Sequence, residues 1–231
     1  MCTSIVANTN TSVLHGRNLD WGGIPTFGNI TAAITFTKNG VPLYKAVHPV
    51  GFIGVLTGMR MGAFSVSLDE RDLGGSLVDN VLSAITGGKS IGFFLRDMLA
   101  TVTSFDDAVK LAASEQLISP SYIIIGGIHP GDGAIVTRDR KVAKDVWKMS
   151  DTPDKIFILE TNYDHWLPAP TSDDRRDPGL AHMRAVGGSD KMTRDVMMQV
   201  MSMSPTHNDQ TVFSAVMEVL SGYLAVTVWQ A

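Results

Sequence analysis

Cysteine is nearly absent from this chain of 231 residues: Cys2 is the single one. One cysteine excludes an internal disulfide, and no cluster of cysteine and histidine has the spacing of a zinc site. The sequence therefore predicts no metal and no other cofactor. The thiol of Cys2 is then either a buried side chain or a reactive group.

An excess of positive charge is also missing. The chain has 19 Lys and Arg against 23 Asp and Glu, for a formal net charge of -4. This balance provides no basic surface for nucleic acid, so we expect no nucleic-acid partner. No signal peptide precedes Cys2, and no apolar run reaches the roughly 18 residues of a membrane span.

The chain contains no long Pro/Gly/Ser tract, repeat or low-complexity run that would separate it into domains. Hydrophobic residues make up 44% of the sequence and are spread throughout it. This length and composition can bury a sizeable core. We therefore predict a single domain over residues 1–231.

The position of Cys2, directly after Met1, suggests a catalytic role. Removal of the initiator methionine would leave one residue with both a thiol and a free α-amine. A free thiol has a pKa near about 8.5 and an α-amine one near about 7.7–8.0, so the amine can accept the thiol proton. The alternative is that Cys2 is a small residue beginning a buried strand.

The first strands predict a hairpin that brings charged side chains to Cys2. Residues 2–7 are apolar and β-prone, a polar turn follows, and a second strand covers 13–18. Its end carries Arg17 and Asp20. Arg17 would favour the thiolate of Cys2, and Asp20 would hold the α-amine. Alternatively, the two are an ordinary surface pair.

Beyond this hairpin the pattern predicts runs of strands separated by helices. Asn39-Gly40 is a strong hairpin signal, and Ser104 is a good N-cap. Grouped strands and grouped helices favour layered α+β packing over alternating βαβ units. The predicted strands are 32–38, 43–48, 54–58, 63–68, 122–126, 134–138, 146–149, 156–161, 211–220 and 223–229, and the predicted helices are 76–86, 91–101, 104–114, 179–186 and 192–201.

Several short blocks occur in an informative order along almost the whole chain: CTSIVA, HGRNLDW, LTG, SLDERD, IVTRDR, TNYDHW and DDRR. Together they resemble the mature β-subunit of acid ceramidase and, more closely, of N-acylethanolamine-hydrolysing acid amidase. The opening MCT with its Arg and Asp is also similar to bile salt hydrolases and penicillin V acylases. All belong to the N-terminal-nucleophile choloylglycine hydrolase superfamily.

The resemblance implies a four-layer αββα sandwich with Cys2 at the end of a central strand. It also implies roles for individual residues. Cys2 is the nucleophile and its α-amine the base, supported by Arg17 and Asp20. The further residues it implies are an oxyanion-binding Asn162, a site arginine at Arg175 and a substrate-binding Glu70.

The resemblance further implies a cysteine amidohydrolase that cleaves N-acyl lipids through a thioester, with N-acylethanolamines ahead of ceramides. The alternatives are a bile-salt or penicillin V amide hydrolase and a non-catalytic lipid-binding relative. In the resembled proteins Cys begins the β-subunit after autocatalytic cleavage. We therefore expect an α-subunit region that is absent here, contact with a membrane surface, and a lysosomal or secretory location, which the sequence leaves open.

A conventional Cys-His dyad remains a second mechanistic possibility. His15, on the strand before Gly16, is the nearest candidate in sequence. Its position is more simply that of a packed histidine. The N-terminal amine would also make a histidine base unnecessary.

Overall fold

The structure is a computed structural model that describes residues 1–22, 26–71 and 76–229. The strands of these residues form two antiparallel sheets. Strands and helices are numbered in chain order. The smaller sheet has five strands, in spatial order β10 (Phe157–Glu160), β1 (Cys2–Asn8), β2 (Val13–Asp20), β11 (Thr211–Glu218) and β12 (Tyr223–Val228). The strand that begins at Cys2 therefore has a neighbour on each side.

The larger sheet has seven strands that follow one another in chain order: β3 (Thr31–Lys38), β4 (Val41–Pro49), β5 (Thr57–Arg60), β6 (Phe64–Glu70), β7 (Ser121–Gly126), β8 (Gly133–Arg138) and β9 (Ala143–Lys148). The predicted Asn39-Gly40 turn joins β3 to β4. Both turn residues have positive φ, 54° and 80°. That conformation matches the twist of a tight hairpin.

Helices cover the outer faces of the two sheets. The helices are α1 (Thr26–Ile30), α2 (Leu77–Ile85), α3 (Ile91–Thr101), α4 (Phe105–Ser114), α5 (Arg176–Val186) and α6 (Arg194–Met201). The α3 and α4 helices pack on the larger sheet, and α5 and α6 pack on the smaller one. The predicted αββα layering is confirmed.

The inner faces of the sheets meet in an apolar cluster that includes Val6, Tyr122, Ile135 and Ile158. Burial of this surface, at roughly 25 cal/mol per Å², holds the two sheets together. Next to the cluster lies a buried polar group made of Ser4, His15, Arg17, Ser65, Ser67 and Asp69. Polar side chains are costly to bury, so their position between the sheets points to a function.

Several local features differ from the sequence prediction; for example, α5 begins at Arg176 instead of 179, and β9 begins at Ala143 instead of 146. The strand predicted at 54–58 lies at Thr57–Arg60, because Val55 donates its N–H to Gly92 instead of to a neighbouring strand. The α6 helix starts after Thr193, whose hydroxyl accepts the N–H of Val196. The short α1 helix was not predicted.

Candidate active site

Cys2 lies at the start of β1 and is 6% exposed. Its backbone nitrogen donates a hydrogen bond to Oδ1 of Asn162 at 2.7 Å. Met1 is attached to this nitrogen, which is therefore a peptide nitrogen standing in for the α-amine of a processed chain. The register of β1 and β10, in which Ser4 lies opposite Glu160, accounts for the approach of Asn162 to Cys2.

Arg17 lies on the same face of the small sheet as Cys2. Cys2 is opposite Leu19 and Ser4 is opposite Arg17, so strand alternation places these side chains together between the sheets. The Arg17 guanidinium forms a fully buried ion pair with Asp69 and donates to the Leu68 carbonyl at 2.6 Å.

The thiol of Cys2 is protonated at neutral pH in this arrangement. Burial raises the pKa of Cys2 to about 11, although the positive charge of Arg17 acts in the opposite direction. Arg17 is therefore close enough to favour the thiolate but does not outweigh desolvation while Met1 is attached. Activation requires a further base.

Asp20 lies on the opposite face of β2, since it is one position out of phase with Arg17 and Leu19. Its carboxylate accepts hydrogen bonds from Thr211 at 2.8 Å and Asn208 at 3.2 Å. Burial raises the Asp20 pKa, and these hydrogen bonds partly offset that effect. The Cys2 nitrogen donates to Asn162, so the direct contact of Asp20 with this nitrogen that the sequence suggested does not form here.

Arg175 connects the separate parts of the site. Its Nη1 donates to the Cys2 carbonyl oxygen at 2.6 Å and to the Asp20 carboxylate at 3.1 Å. Its Nη2 donates to Oδ1 of Asn162 at 2.7 Å. Its Nε and Nη2 also donate to the Asp173 carboxylate, at 2.6 and 2.8 Å, and these two hydrogen bonds hold the guanidinium in place. Asp20 thus reaches Cys2 through Arg175.

The orientation of the Asn162 amide follows from its partners. Its Oδ1 faces two donors, the Cys2 nitrogen and the Arg175 guanidinium, so Nδ2 must point the other way. That Nδ2 donates to the backbone oxygen of Glu70 at 2.7 Å. An amide nitrogen carries two hydrogens, which leaves one available for a further acceptor.

Glu70 ends β6 at the cavity wall, with its side chain exposed. The structure thus places Glu70 beside the site through its backbone contact with Asn162. Its proposed role toward substrate stays a prediction.

Sequence reasoning missed several residues that support the site. Asp69, Asp173, Asn208 and Thr211 each bind one of the predicted residues directly. Burial raises the pKa of Asp69 to about 6 despite its contact with Arg17. A signal was available for two of them, since Asp69 lies in SLDERD and Asp173 in DDRR.

His15 is not placed to act as the base for Cys2. Its two ring nitrogens lie 2.9 Å from the hydroxyls of Ser65 and Ser67. Burial lowers the pKa of His15 to about 3, so the ring is neutral. The histidine is a packed side chain of the polar group between the sheets.

Cys2 and Arg17 line a cavity of about 770 Å³. That volume is within the usual range for small-molecule sites, roughly 300–1,000 Å³. Apolar side chains in its wall include Leu19, Trp21, Phe52, Leu56, Leu68 and Ile91, and polar ones include Glu70, Arg71, Asn80, Ser121 and Arg140. The cavity can hold a molecule with one apolar and one polar part.

Two features are absent from the described ranges, 1–22, 26–71 and 76–229. They contain no group of three or more His, Cys, Asp or Glu side chains placed to hold a metal ion. They also contain no helix long and apolar enough to cross a membrane.

Comparison with known proteins shows the family of this chain. A family model, described as linear amide C–N hydrolases, choloylglycine hydrolase family, matches residues 2–222. The N-acylethanolamine-hydrolyzing acid amidase of Oryctolagus cuniculus is 37% identical over 221 residues, covering 95% of this chain and 62% of the relative. Acid ceramidase of Pan troglodytes is 33% identical over 240 residues, covering 96% and 60%.

A solved structure of the Caenorhabditis elegans N-acylethanolamine-hydrolyzing acid amidase ortholog is similar in fold, with a TM-score of 0.82 at 35% identity. The match covers 94% of this chain and 92% of that one. The chain spans only about 60% of the length of the curated relatives it matches.

Proposed function

Because the chain belongs to the choloylglycine hydrolase family of linear amide C–N hydrolases, we propose that it is a cysteine amidohydrolase acting on N-acyl lipids. One observation carries the proposal: Cys2 lines a cavity with both apolar and polar walls, and its nitrogen is held by Asn162. This arrangement supports a nucleophile, a base and a place for an acyl chain next to one another.

Before any turnover, the peptide bond between Met1 and Cys2 is cleaved once, which turns the Cys2 nitrogen into an amine. The catalytic reaction then starts. The amine takes the thiol proton, and the sulfur attacks the acyl carbonyl carbon. The second hydrogen on Nδ2 of Asn162, together with backbone N–H groups, would stabilise the oxyanion. The ammonium then protonates the leaving amine as the C–N bond breaks, and a thioester forms on Cys2.

Hydrolysis of the thioester completes the cycle. The amine of Cys2 now takes a proton from water, whose oxygen attacks the thioester carbonyl. The C–S bond breaks, the fatty acid leaves, and the proton returns to the sulfur. Arg17 would stabilise the departing thiolate, and Arg175 would keep Cys2 and Asn162 aligned through both steps.

N-acylethanolamines rank ahead of ceramides as substrates, because relatives carrying the former name have the higher identity, 37% against 33%. The acyl chain would lie along Leu19, Leu56 and Ile91, and the head group would lie towards Glu70. The exposed carboxylate of Glu70 can accept a hydrogen bond from a hydroxyl group.

The testing experiment is intact-mass analysis of the purified chain before and after exposure to an N-acylethanolamine. We expect a mature species that begins at Cys2, a transient acyl adduct on Cys2, and release of fatty acid. A Cys2→Ala variant is the control and should give neither adduct nor product. Retained Met1 with no adduct would overturn the proposal and favour a non-catalytic lipid-binding relative.

The same assay separates the other candidate substrates. Ceramide, a glycine-conjugated bile salt and penicillin V are each offered in place of the N-acylethanolamine. Preferential turnover of either of the last two would move the protein to the bile-salt or penicillin V branch of the family. The lipid assignment would then be wrong, although the amidohydrolase mechanism would remain.

Helix α2 supports a proposal about partners. Five of its apolar side chains are more than half exposed: Leu77, Val78, Val81, Leu82 and Ile85. Asn80 of the same helix lines the cavity, so this apolar face is beside the site. An exposed apolar patch is typical of a surface that meets a partner or a lipid.

We propose that this face contacts the lipid surface from which substrate enters, and that an α-subunit from the same precursor borders it. Flotation of the full chain with phosphatidylcholine vesicles tests the first part. Ile85→Asp should abolish co-flotation, whereas Val142→Asp, at another exposed valine, should not. Equal flotation of both variants would exclude α2 as the contact.

A further inference from the structure

Arg71 is the residue directly after Glu70, and it binds a second segment of the site. Its Nε and Nη2 donate to the two carboxylate oxygens of Asp164 at 2.7 and 2.8 Å. Both side chains are almost fully buried, with 3% and 6% exposed. A two-point contact of this kind fixes both distance and orientation.

Tyr122 on β7 completes the contact from a third direction. Its hydroxyl donates to Oδ1 of Asp164 at 2.8 Å, and the ring is fully buried. Hydrogen bonds from Arg71 and Tyr122 overcome the effect of burial and lower the pKa of Asp164. The carboxylate is therefore charged and receives three hydrogen bonds.

The contact lies two residues from Asn162. Nδ2 of Asn162 donates to the Glu70 carbonyl. Arg71 directly follows Glu70, Asp164 lies two residues after Asn162, and these two side chains form the ion pair. The end of β6 and the segment after β10 are thus joined at two adjacent points. A shift of Asp164 would move the Asn162 amide relative to Cys2.

We propose that the Arg71–Asp164–Tyr122 group is a positioning device that holds Asn162 at the distance from Cys2 needed for acyl transfer. This inference rests on the proposed function. The three residues act through Asn162, so they are positioning residues and need not touch the reacting atoms. Displacement of about 1 Å at a reacting centre can cost roughly a hundredfold in rate.

The test is a double-mutant cycle on the rate at which processed protein is acylated at Cys2 by p-nitrophenyl decanoate. Arg71→Lys keeps the charge but cannot bind both oxygens, and should lower the rate roughly ten- to hundredfold. Asn162→Ala should lower it roughly a hundred- to a thousandfold. The double variant should be no slower than Asn162→Ala alone, because on this proposal Arg71 acts on acylation through Asn162; Tyr122→Phe, at a residue that is not in the cavity wall, repeats the cycle without changing that wall. If the fold loss in acylation rate of the double variant equals the product of the two single-variant losses, the proposal is overturned.

A matched control separates positioning from general stability. Arg138 is a buried arginine on β8 that donates to the carbonyls of Ala113 and Glu115. Arg138→Lys should lower the urea midpoint and leave the acylation rate within about twofold. If Arg71→Lys unfolds the chain, Tyr122→Phe replaces it in the cycle. The double variant of Tyr122→Phe and Asn162→Ala should then also be no slower than Asn162→Ala alone. An unchanged rate in Tyr122→Phe would then overturn the proposal.

The cycle also distinguishes failure of this inference from failure of the proposed function. If the ester acylates Cys2 but no N-acyl amide is hydrolysed, the proposed amidohydrolase function is overturned. The double-mutant cycle on ester acylation would still decide the positioning role. Amide hydrolysis with multiplying losses would overturn only the positioning role. A wild-type Cys2 that is never acylated would overturn both.

Discussion

Oδ1 of Asn162 accepts a hydrogen bond from the backbone nitrogen of Cys2 at 2.7 Å, across 160 residues of sequence. The same oxygen accepts Nη2 of Arg175 at 2.7 Å. One buried amide oxygen therefore contacts both the proposed base nitrogen and the arginine that donates to the Cys2 carbonyl. On the proposed mechanism, the reaction rate and the stability both depend on this amide.

Asn162→Ala should lower both the rate and the stability. Loss of an oxyanion donor reduces kcat by roughly a hundred- to a thousandfold. The buried donors of Arg175 and Cys2 also lose an acceptor, which costs about 1–3 kcal/mol. Steady-state kinetics and urea unfolding measure the two effects. Asn8→Ala, at a surface asparagine that binds the Lys155 carbonyl, is the control. Unchanged kcat would show that the oxyanion role is wrong.

Cys2 should react slowly with iodoacetamide while Met1 is attached. Burial raises the thiol pKa to about 11, so roughly one thiol in ten thousand is ionised at pH 7. The alkylation rate should rise about tenfold per pH unit between pH 7 and 9, and should increase sharply at pH 7 once Met1 is removed. Mass spectrometry of both forms measures this. Rapid, pH-independent alkylation of the Met1 form would contradict the prediction.

Glu160 should make stability fall as pH rises. The side chain is fully buried, and Oε2 finds no hydrogen-bond partner among the described residues. Burial raises its pKa well above the ordinary value of 4.5. The N–H of Thr161 and the charge of Arg176 act in the opposite direction, while Asp69 and Asp164 raise the pKa further. Because the folded state retains this proton longer than the unfolded state, stability decreases above about pH 4.5.

Glu160→Gln removes that dependence. The variant and the wild type should have similar unfolding free energies at pH 4. From pH 5 to 7 the unfolding free energy of the variant should exceed that of the wild type by a growing margin. Urea unfolding at each pH measures the difference. Glu115→Gln, at a partly exposed carboxylate paired with Lys89, serves as the control. A difference that does not change with pH would contradict the assignment.

Asp20→Asn should weaken the site chiefly through the contacts of Asp20 with Arg175, Thr211 and Asn208. One oxygen of the carboxylate becomes an NH₂ group that faces donors from Thr211, Asn208 or Arg175. Arg175 keeps Asp173 as a partner, so the cost of losing the Asp20 charge should stay at or below the roughly 3–5 kcal/mol for a buried charge left with no partner. Thr211→Val removes two hydrogen bonds of the hydroxyl, one donated to Asp20 and one accepted from the Asn208 N–H, but keeps the Asp20 charge, and should cost less than Asp20→Asn. Equal losses in the urea midpoint would show that the charge of Asp20 is unimportant.

Much of the fold could be predicted because it depends on local patterns. Short runs of apolar, β-prone residues marked the strands, the Asn39-Gly40 turn required positive φ at both positions, and Ser104 capped α4. The strand at Thr57–Arg60 was displaced from its predicted position because Val55 bonds to Gly92, a contact no local pattern contains. A single domain over 1–231 stays a prediction.

The sequence by itself determined the chemistry that is available: one thiol, placed beside a potential amine, and an Arg-Asp pair on the returning strand. Only the tertiary structure decided which groups meet. Strand alternation sends Arg17 and Asp20 to opposite faces of β2. The pairing of β10 with β1 brings Asn162 to the Cys2 nitrogen, and the segment before α5 carries Arg175 to both. A contact across 160 residues depends on which strands pair within the sheet, and no local spacing encodes that pairing.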